Sequence, residues 1–186
     1  MTVVGIEGSP RKNGNTGKLL EAVLEGARTA GADSRTIKLW ERNVRPCTGC
    51  ATCRATGQCV LDDDMDEVVE AMQGAAAVVL ASPVYMWQVT ATMKAFVDRL
   101  CRLLTPEYAS RLQGPKKLGF VYTQGNPDPA LFAPYFEYHE KMFGMLGFTP
   151  GGRVLAAGTR AEDDVLAQAE VLGQARQLGA TLVRPA

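Results

Sequence analysis

The chain has 186 residues, with 20 Lys and Arg against 20 Asp and Glu, one His and five Cys. Balanced charge removes both the basic field that nucleic-acid binding needs and the acidic tail of a solvating segment, and no run reaches the ~18 apolar residues of a membrane span. The opening MTVVGIEGSP lacks a basic n-region and a long apolar stretch, so it does not read as a secretory leader. A cytosolic location follows as the expectation, where clustered thiols serve metals or redox chemistry rather than stable disulfides.

A chain of this length buries roughly 70% of its unfolded surface, which predicts one domain over 1–186 without repeats or linkers. Residues 2–6, TVVGI, are short and β-branched, as a buried parallel strand should be. The loop 8–17, GSPRKNGNTG, combines turn-forming glycines, polar side chains and the charges of Arg11 and Lys12 ahead of a helix N-terminus. That is a phosphate cradle in composition, although a connecting turn with a good cap uses the same residues. It is not a Walker A loop, because Leu19 follows Lys18, and it does not spell GxGxxG. Leu19, Leu20, Val23, Leu24 and Ala27 then mark one face of a helix, with Asn15 or Thr16 as its cap and Gly31 as its stop.

Residues 34–40 read as the second strand, and an inserted segment over 46–64 follows it. Four of the five cysteines fall there, Cys47, Cys50, Cys53 and Cys59, at steps of three, three and six. Zinc ribbons split their ligands into separated pairs, whereas ferredoxins wrap a cluster with cysteines at three-residue steps. A cluster, zinc or no metal all stay open on spacing alone. Arg54 would offset negative charge on the thiolates. The aspartates of 62–64 predict the start of a short helix reaching 75.

Residues 76–85 form a third buried strand ending in Ser-Pro, and SPVYMWQVT (82–90) offers Pro83, Tyr85, Met86 and Trp87 as the wall of an apolar slot. Helix-packing residues would look the same. Residues 90–104 read as a helix, with Cys101 as a buried small hydrophobe. Residues 116–125 are a strand running into TQGNPD, 129–147 an aromatic-rich helix, 149–158 a last strand and 161–183 a closing helix. The aromatic side chains Phe132, Tyr135, Phe136, Tyr138 and Phe143 suit an interface or the core equally. His139 is the only histidine, which excludes sites needing two; it reads as a surface or packing residue. Five strands alternating with helices predict an α/β doubly wound sandwich on a five-stranded parallel sheet, with ligands at the carboxyl ends of the strands.

GSPRKNGNT followed by SPVYMWQVTATMKAFVDR resembles the NADPH-dependent FMN reductase family, and the resemblance extends over nearly the whole chain. It implies a flavodoxin-like fold and FMN. Ser9, Arg11, Asn13, Gly14, Asn15 and Thr16 would hold the phosphate. Pro83, Val84, Tyr85 and Met86 would border the isoalloxazine, and Thr123, Gln124 and Gly125 would close its far side. No catalytic side chain is implied, since the flavin carries the chemistry. The cysteine segment with DDDM behind it is similar to the compact motif of iron–sulfur flavoproteins, a branch of that family. This implies a 4Fe–4S cluster on Cys47, Cys50, Cys53 and Cys59 next to FMN. The expected function is an oxidoreductase passing electrons from a ferredoxin-like donor through cluster and FMN to a small-molecule oxidant. The alternatives are an FMN-only NAD(P)H oxidoreductase acting on quinones, nitro compounds or flavin, and a zinc-bearing interaction module. A homodimer or homotetramer is expected.

Overall fold

A computed structural model describes residues 1–184. Strand β1 (Thr2–Glu7) leads into helix α1 (Asn15–Thr29), strand β2 (Asp33–Lys38) and the short helix α2 (Thr52–Thr56) within the cysteine segment. Helix α3 (Met65–Gly74), strand β3 (Ala77–Tyr85), the two-residue strand β4 (Gln88–Val89) and helix α4 (Ala91–Asp98) come next. Strand β5 (Lys116–Thr123), helix α5 (Ala133–Met145), strand β6 (Phe148–Ala156) and helix α6 (Ala169–Val183) complete the order.

The parallel strands stand in the order β2-β1-β3-β5-β6, the flavodoxin-like arrangement. Alternate side chains of each strand feed opposite cores. Val3, Val79 and Val121 meet Leu20, Val23 and Leu24 of α1 and Ala175, Leu178 and Leu182 of α6. Ile6, Val78, Leu80 and Phe120 meet Met65 and Met72 of α3, Phe96 of α4 and Phe136 and Phe143 of α5. Helices α1 and α6 touch backbone to backbone. A Cβ on Gly179 would stand 1.8 Å from the Val23 carbonyl oxygen, and one on Gly26 would stand 1.9 Å from that of Arg176. Only glycine admits that approach, which fixes the helix carrying the first loop.

Four local expectations change. Gly14 caps α1 without a side-chain bond, because Asn15 and Thr16 are drawn into tertiary contacts instead. The helix expected over 90–104 stops at Asp98 and tightens into a 3-10 turn, Arg99–Leu103. The closing helix is likewise split, with a 3-10 turn at Asp164–Ala167 ahead of α6. Strand β4 was not expected: Met86 (φ 44°) and Trp87 (φ 66°) form a two-residue hairpin that pairs Tyr85 with Gln88, a backbone that bulky residues seldom adopt.

Candidate functional site

The chain runs from β1 outward to β2, then returns to start β3 on the other side of β1. A crevice opens at that switch point, beyond the carboxyl ends of the strands. Its volume is about 280 Å³, and Ser9, Arg11, Gly14, Asn15 and Thr16 line one wall. Pro83, Val84 and Tyr85 line a second, and Thr123, Gln124 and Gly125 a third. Two expected residues lie elsewhere. Asn13 lines a neighbouring depression with Lys12 and Glu162, and Met86 is 85% exposed on the hairpin. Thr159 and Arg160, which sequence reasoning missed, complete the lining. They follow β6, and the rule that ligands sit beyond strand ends would have found them had that loop been weighed.

Each wall is held by specific bonds. The Thr90 hydroxyl donates to the Gly8 carbonyl at 2.7 Å and accepts from the Met93 amide at 3.2 Å, so the residue capping α4 also ties down the first loop. Asn15 Nδ2 donates to the Ala161 carbonyl at 2.7 Å, while its Oδ1 accepts from the Val165 amide at 3.0 Å. The Thr16 and Thr123 hydroxyls are 2.7 Å apart, both buried. Arg160 Nε donates to the Gly125 carbonyl at 2.9 Å, and Arg11 Nη1 to the Arg160 carbonyl at 3.3 Å. Since Gly14 has no side chain to offer, the first-turn amides of α1 have no capping side chain, which suits an anion. On the third wall Gln124 Oε1 is a buried acceptor without a partner among the described residues, able to take an N–H. Hydroxyls, a cation and free amides on one wall, with a peptide wall and an orphaned acceptor on the others, fit FMN in kind.

Glu7, at the end of β1, is 2% exposed beside Gly17 in the first turn of α1, and its Oε1 has no partner among the described residues. Burial raises its pKa to about 7, partly opposed by Lys38 and reinforced by Glu41. A raised carboxylate keeps its full stabilising effect below the unfolded value near 4.5 and loses it as pH climbs through about 7. Unfolding free energy from urea titrations is therefore expected to fall by up to about 3 kcal/mol between pH 4.5 and 8 from this group, at 1.36 kcal/mol per unit. Glu7→Gln flattens that dependence; an unchanged slope in the variant would assign it to other groups.

A separate cavity of about 160 Å³ is lined by Cys47, Cys50, Cys53 and Cys59 together with Arg54, Leu61, Arg99 and Cys101. It shares no lining residue with the crevice. Positive φ at Gly49, Ala51 and Gly57 winds the segment around it. Three arginines from one stretch hold the segment in place. Arg99 Nη1 reaches Asp63 Oδ2 at 2.5 Å and the Arg45 carbonyl at 3.3 Å. Arg102 Nε donates to the Gly57 carbonyl at 3.1 Å, and Arg111 Nη2 to that of Arg54 at 2.6 Å. Asp63 also accepts the Arg45 and Met65 amides, so it closes the base of the loop. Burial works against its charge, yet Arg99 and those amides hold its pKa below the ordinary value. Burial opposes the charge of Arg99 too, and Asp63 and Cys59 outweigh it.

Cys101 is not a buried hydrophobe. It is half-buried on the cavity wall with its Sγ 3.6 Å from that of Cys53, and burial pushes its thiol up to about 12. The Thr52 amide and hydroxyl lower the exposed Cys50 thiol. Arg54 turns its head to the carbonyls of Thr105 and Pro106 and stacks 4.1 Å from the Tyr108 ring, leaving Arg99 as the buried cation on this wall. Among the described residues no three His, Cys, Asp or Glu side chains are drawn into a closed ligand set. Donor type, number and shared cavity nonetheless suit a thiolate-bound group, and the unpartnered Nε and Nη2 of Arg99 call for an acceptor there.

His139 is a packing residue: it stacks on Tyr135, and its Nδ1 lies 3.0 Å from the Tyr122 hydroxyl. Burial lowers its pKa to about 4. Phe136 and Phe143 belong to the core, while Tyr138 is exposed. No helix among the described residues is long and apolar enough to cross a membrane.

Comparison with known proteins places this geometry among flavoproteins. The NADPH-dependent FMN reductase family matches residues 1–162. An iron–sulfur flavoprotein of Archaeoglobus fulgidus is 36% identical over 184 residues, 98% of this chain and 79% of that protein. An iron–sulfur flavoprotein of Methanosarcina thermophila is 41% identical over 109 residues, 59% of this chain and 57% of that one. The solved NAD(P)H:quinone oxidoreductase from Methanothermobacter marburgensis shares the fold at a TM-score of 0.78 with 18% identity, over 100% of this chain and 98% of that one.

Proposed function

Because the chain belongs to the NADPH-dependent FMN reductase family, in its iron–sulfur flavoprotein branch, we propose that it passes electrons between a 4Fe–4S cluster and FMN. It is a flavin-dependent oxidoreductase, and the donor proposed for it is a ferredoxin-like protein, the acceptor a small oxidant. The observation that carries this reading is a single cavity lined by Cys47, Cys50, Cys53 and Cys59, walled by the buried cation Arg99.

Bound FMN supplies a carrier competent for one or two electrons, and the cluster a one-electron relay. The chain's own work is to bind and orient them. Ser9, Arg11, Thr16 and the first-turn amides of α1 would hold the phosphate. Asn15, bonded to the segment after β6, holds that loop in shape. Pro83, Val84 and Tyr85 would wall the ring, and Gln124 Oε1 would accept an N–H from it. The four cysteine thiolates would ligate iron, with Arg99 offsetting their charge. The residues after β6, Thr159 and Arg160, would complete the wall of the crevice beside Gly125.

The competing reading, an FMN-only NAD(P)H oxidoreductase, makes the opposite kinetic prediction. In anaerobic rapid mixing, flavin bleaching by a reduced ferredoxin is expected to outpace bleaching by NADPH at least tenfold. Saturable NADPH reduction as fast as the ferredoxin reaction would overturn the donor assignment.

A further inference from the structure

Arg99 is 1% exposed along its side chain. Only Nη1 is satisfied, by Asp63 and the Arg45 carbonyl. Nε and Nη2 are buried with no acceptor at hydrogen-bond geometry among the described residues, although the Cys59 thiol lies near enough to favour the charge of Arg99. A guanidinium projects five donors in a rigid plane, and leaving buried ones unpaired is unfavourable. The side chain lines the cysteine cavity, so the missing acceptor would belong to what that cavity holds. The Asp63 carboxylate, itself fully buried and fastened to both ends of the cysteine loop, fixes the orientation of the plane.

We propose that Arg99 is a positioning residue that donates its two spare N–H groups to sulfur in this cavity, cysteine thiolate or cluster sulfide, and so makes the bound group easier to reduce. The inference rests on the cluster reading above. Its physical basis is that reduction adds negative charge, which a buried cation and N–H···S bonds stabilise. Lysine at this position would keep the charge but lose the fork, since an ammonium cannot serve Asp63 and two sulfurs in one plane.

The test compares the reconstituted wild-type holoprotein with Arg99→Lys and with the double variant Arg99→Met/Asp63→Asn. The double variant removes both buried charges and so avoids stranding one of them. Dithionite titration followed by optical and EPR signals of the reduced cluster reads the potential directly. Both variants are expected to be harder to reduce by at least tenfold in equilibrium constant, about 59 mV for one electron. Iron-loaded variants titrating with the wild type would overturn the proposal, leaving Arg99 a clamp for the loop. In iron-free protein, iodoacetamide alkylation of Cys59 at neutral pH reads the same contact without a cluster. The double variant should react severalfold more slowly, and equal rates would count against the contact. Slower alkylation of the double variant than of the wild type, in chains that take up no iron on reconstitution, would sink the cluster reading while sustaining the sulfur contact.

Discussion

Replacing Cys50 and Cys53 together by serine is expected to yield a chain that keeps FMN but retains less than about a tenth of the wild-type iron and acid-labile sulfide. Serine is a poor ligand for iron that thiolate binds well, and removing two of four ligands leaves too few to hold a cluster. One of the pair is buried and the other exposed, so the change tests the segment across its depth. FMN should persist because the crevice and the cysteine cavity share no lining residue. Rapid reduction by a one-electron donor is lost with the iron. Iron content matching the wild type would remove these cysteines from the ligand set, and parallel loss of FMN would indicate collapse of the fold instead.

Thr16→Val is expected to weaken FMN binding by about 10- to 100-fold, and Thr123→Val by only about fivefold. The hydroxyls of Thr16 and Thr123 form one hydrogen bond at 2.7 Å and carry two protons between them. With Thr123 donating to Thr16, the Thr16 proton is free for the phosphate. Losing a bond to a charged group costs about 1.5–3 kcal/mol, losing the neutral hydroxyl pair about 1 kcal/mol. Flavin fluorescence titration measures both. Equal losses in the two variants would reduce the pair to a structural bond between α1 and β5.

Those residues also indicate what the sequence made legible. Strand β1 announced itself as a short β-branched run and α1 as Leu19, Leu20, Val23, Leu24 and Ala27, the α1 residues all buried in the structure. Such patterns are local and periodic. Three of the four loops lining the crevice could be located because topology sends strand ends to one edge. What stayed hidden depended on partners distant in the chain. Asn15 and Thr16 have ideal capping chemistry, yet Ala161, Val165 and Thr123 recruit them. Met86 and Trp87 carry no turn signal, and the hairpin forms despite its positive φ values. Asp63, Arg99 and Cys101 look like an ordinary helix cap, a helix charge and a core thiol until the fold brings Arg99 and Cys101 to one cavity wall and pairs Asp63 with Arg99.

The proposed function requires the cysteine cavity to hold an iron–sulfur group in the same chain as FMN. Anaerobic purification followed by iron, sulfide, zinc and flavin determination measures that directly. The expected composition is one FMN with about four iron and four sulfide per chain and no stoichiometric zinc. Flavin alone after attempted reconstitution, or one zinc in place of iron and sulfide, would contradict it.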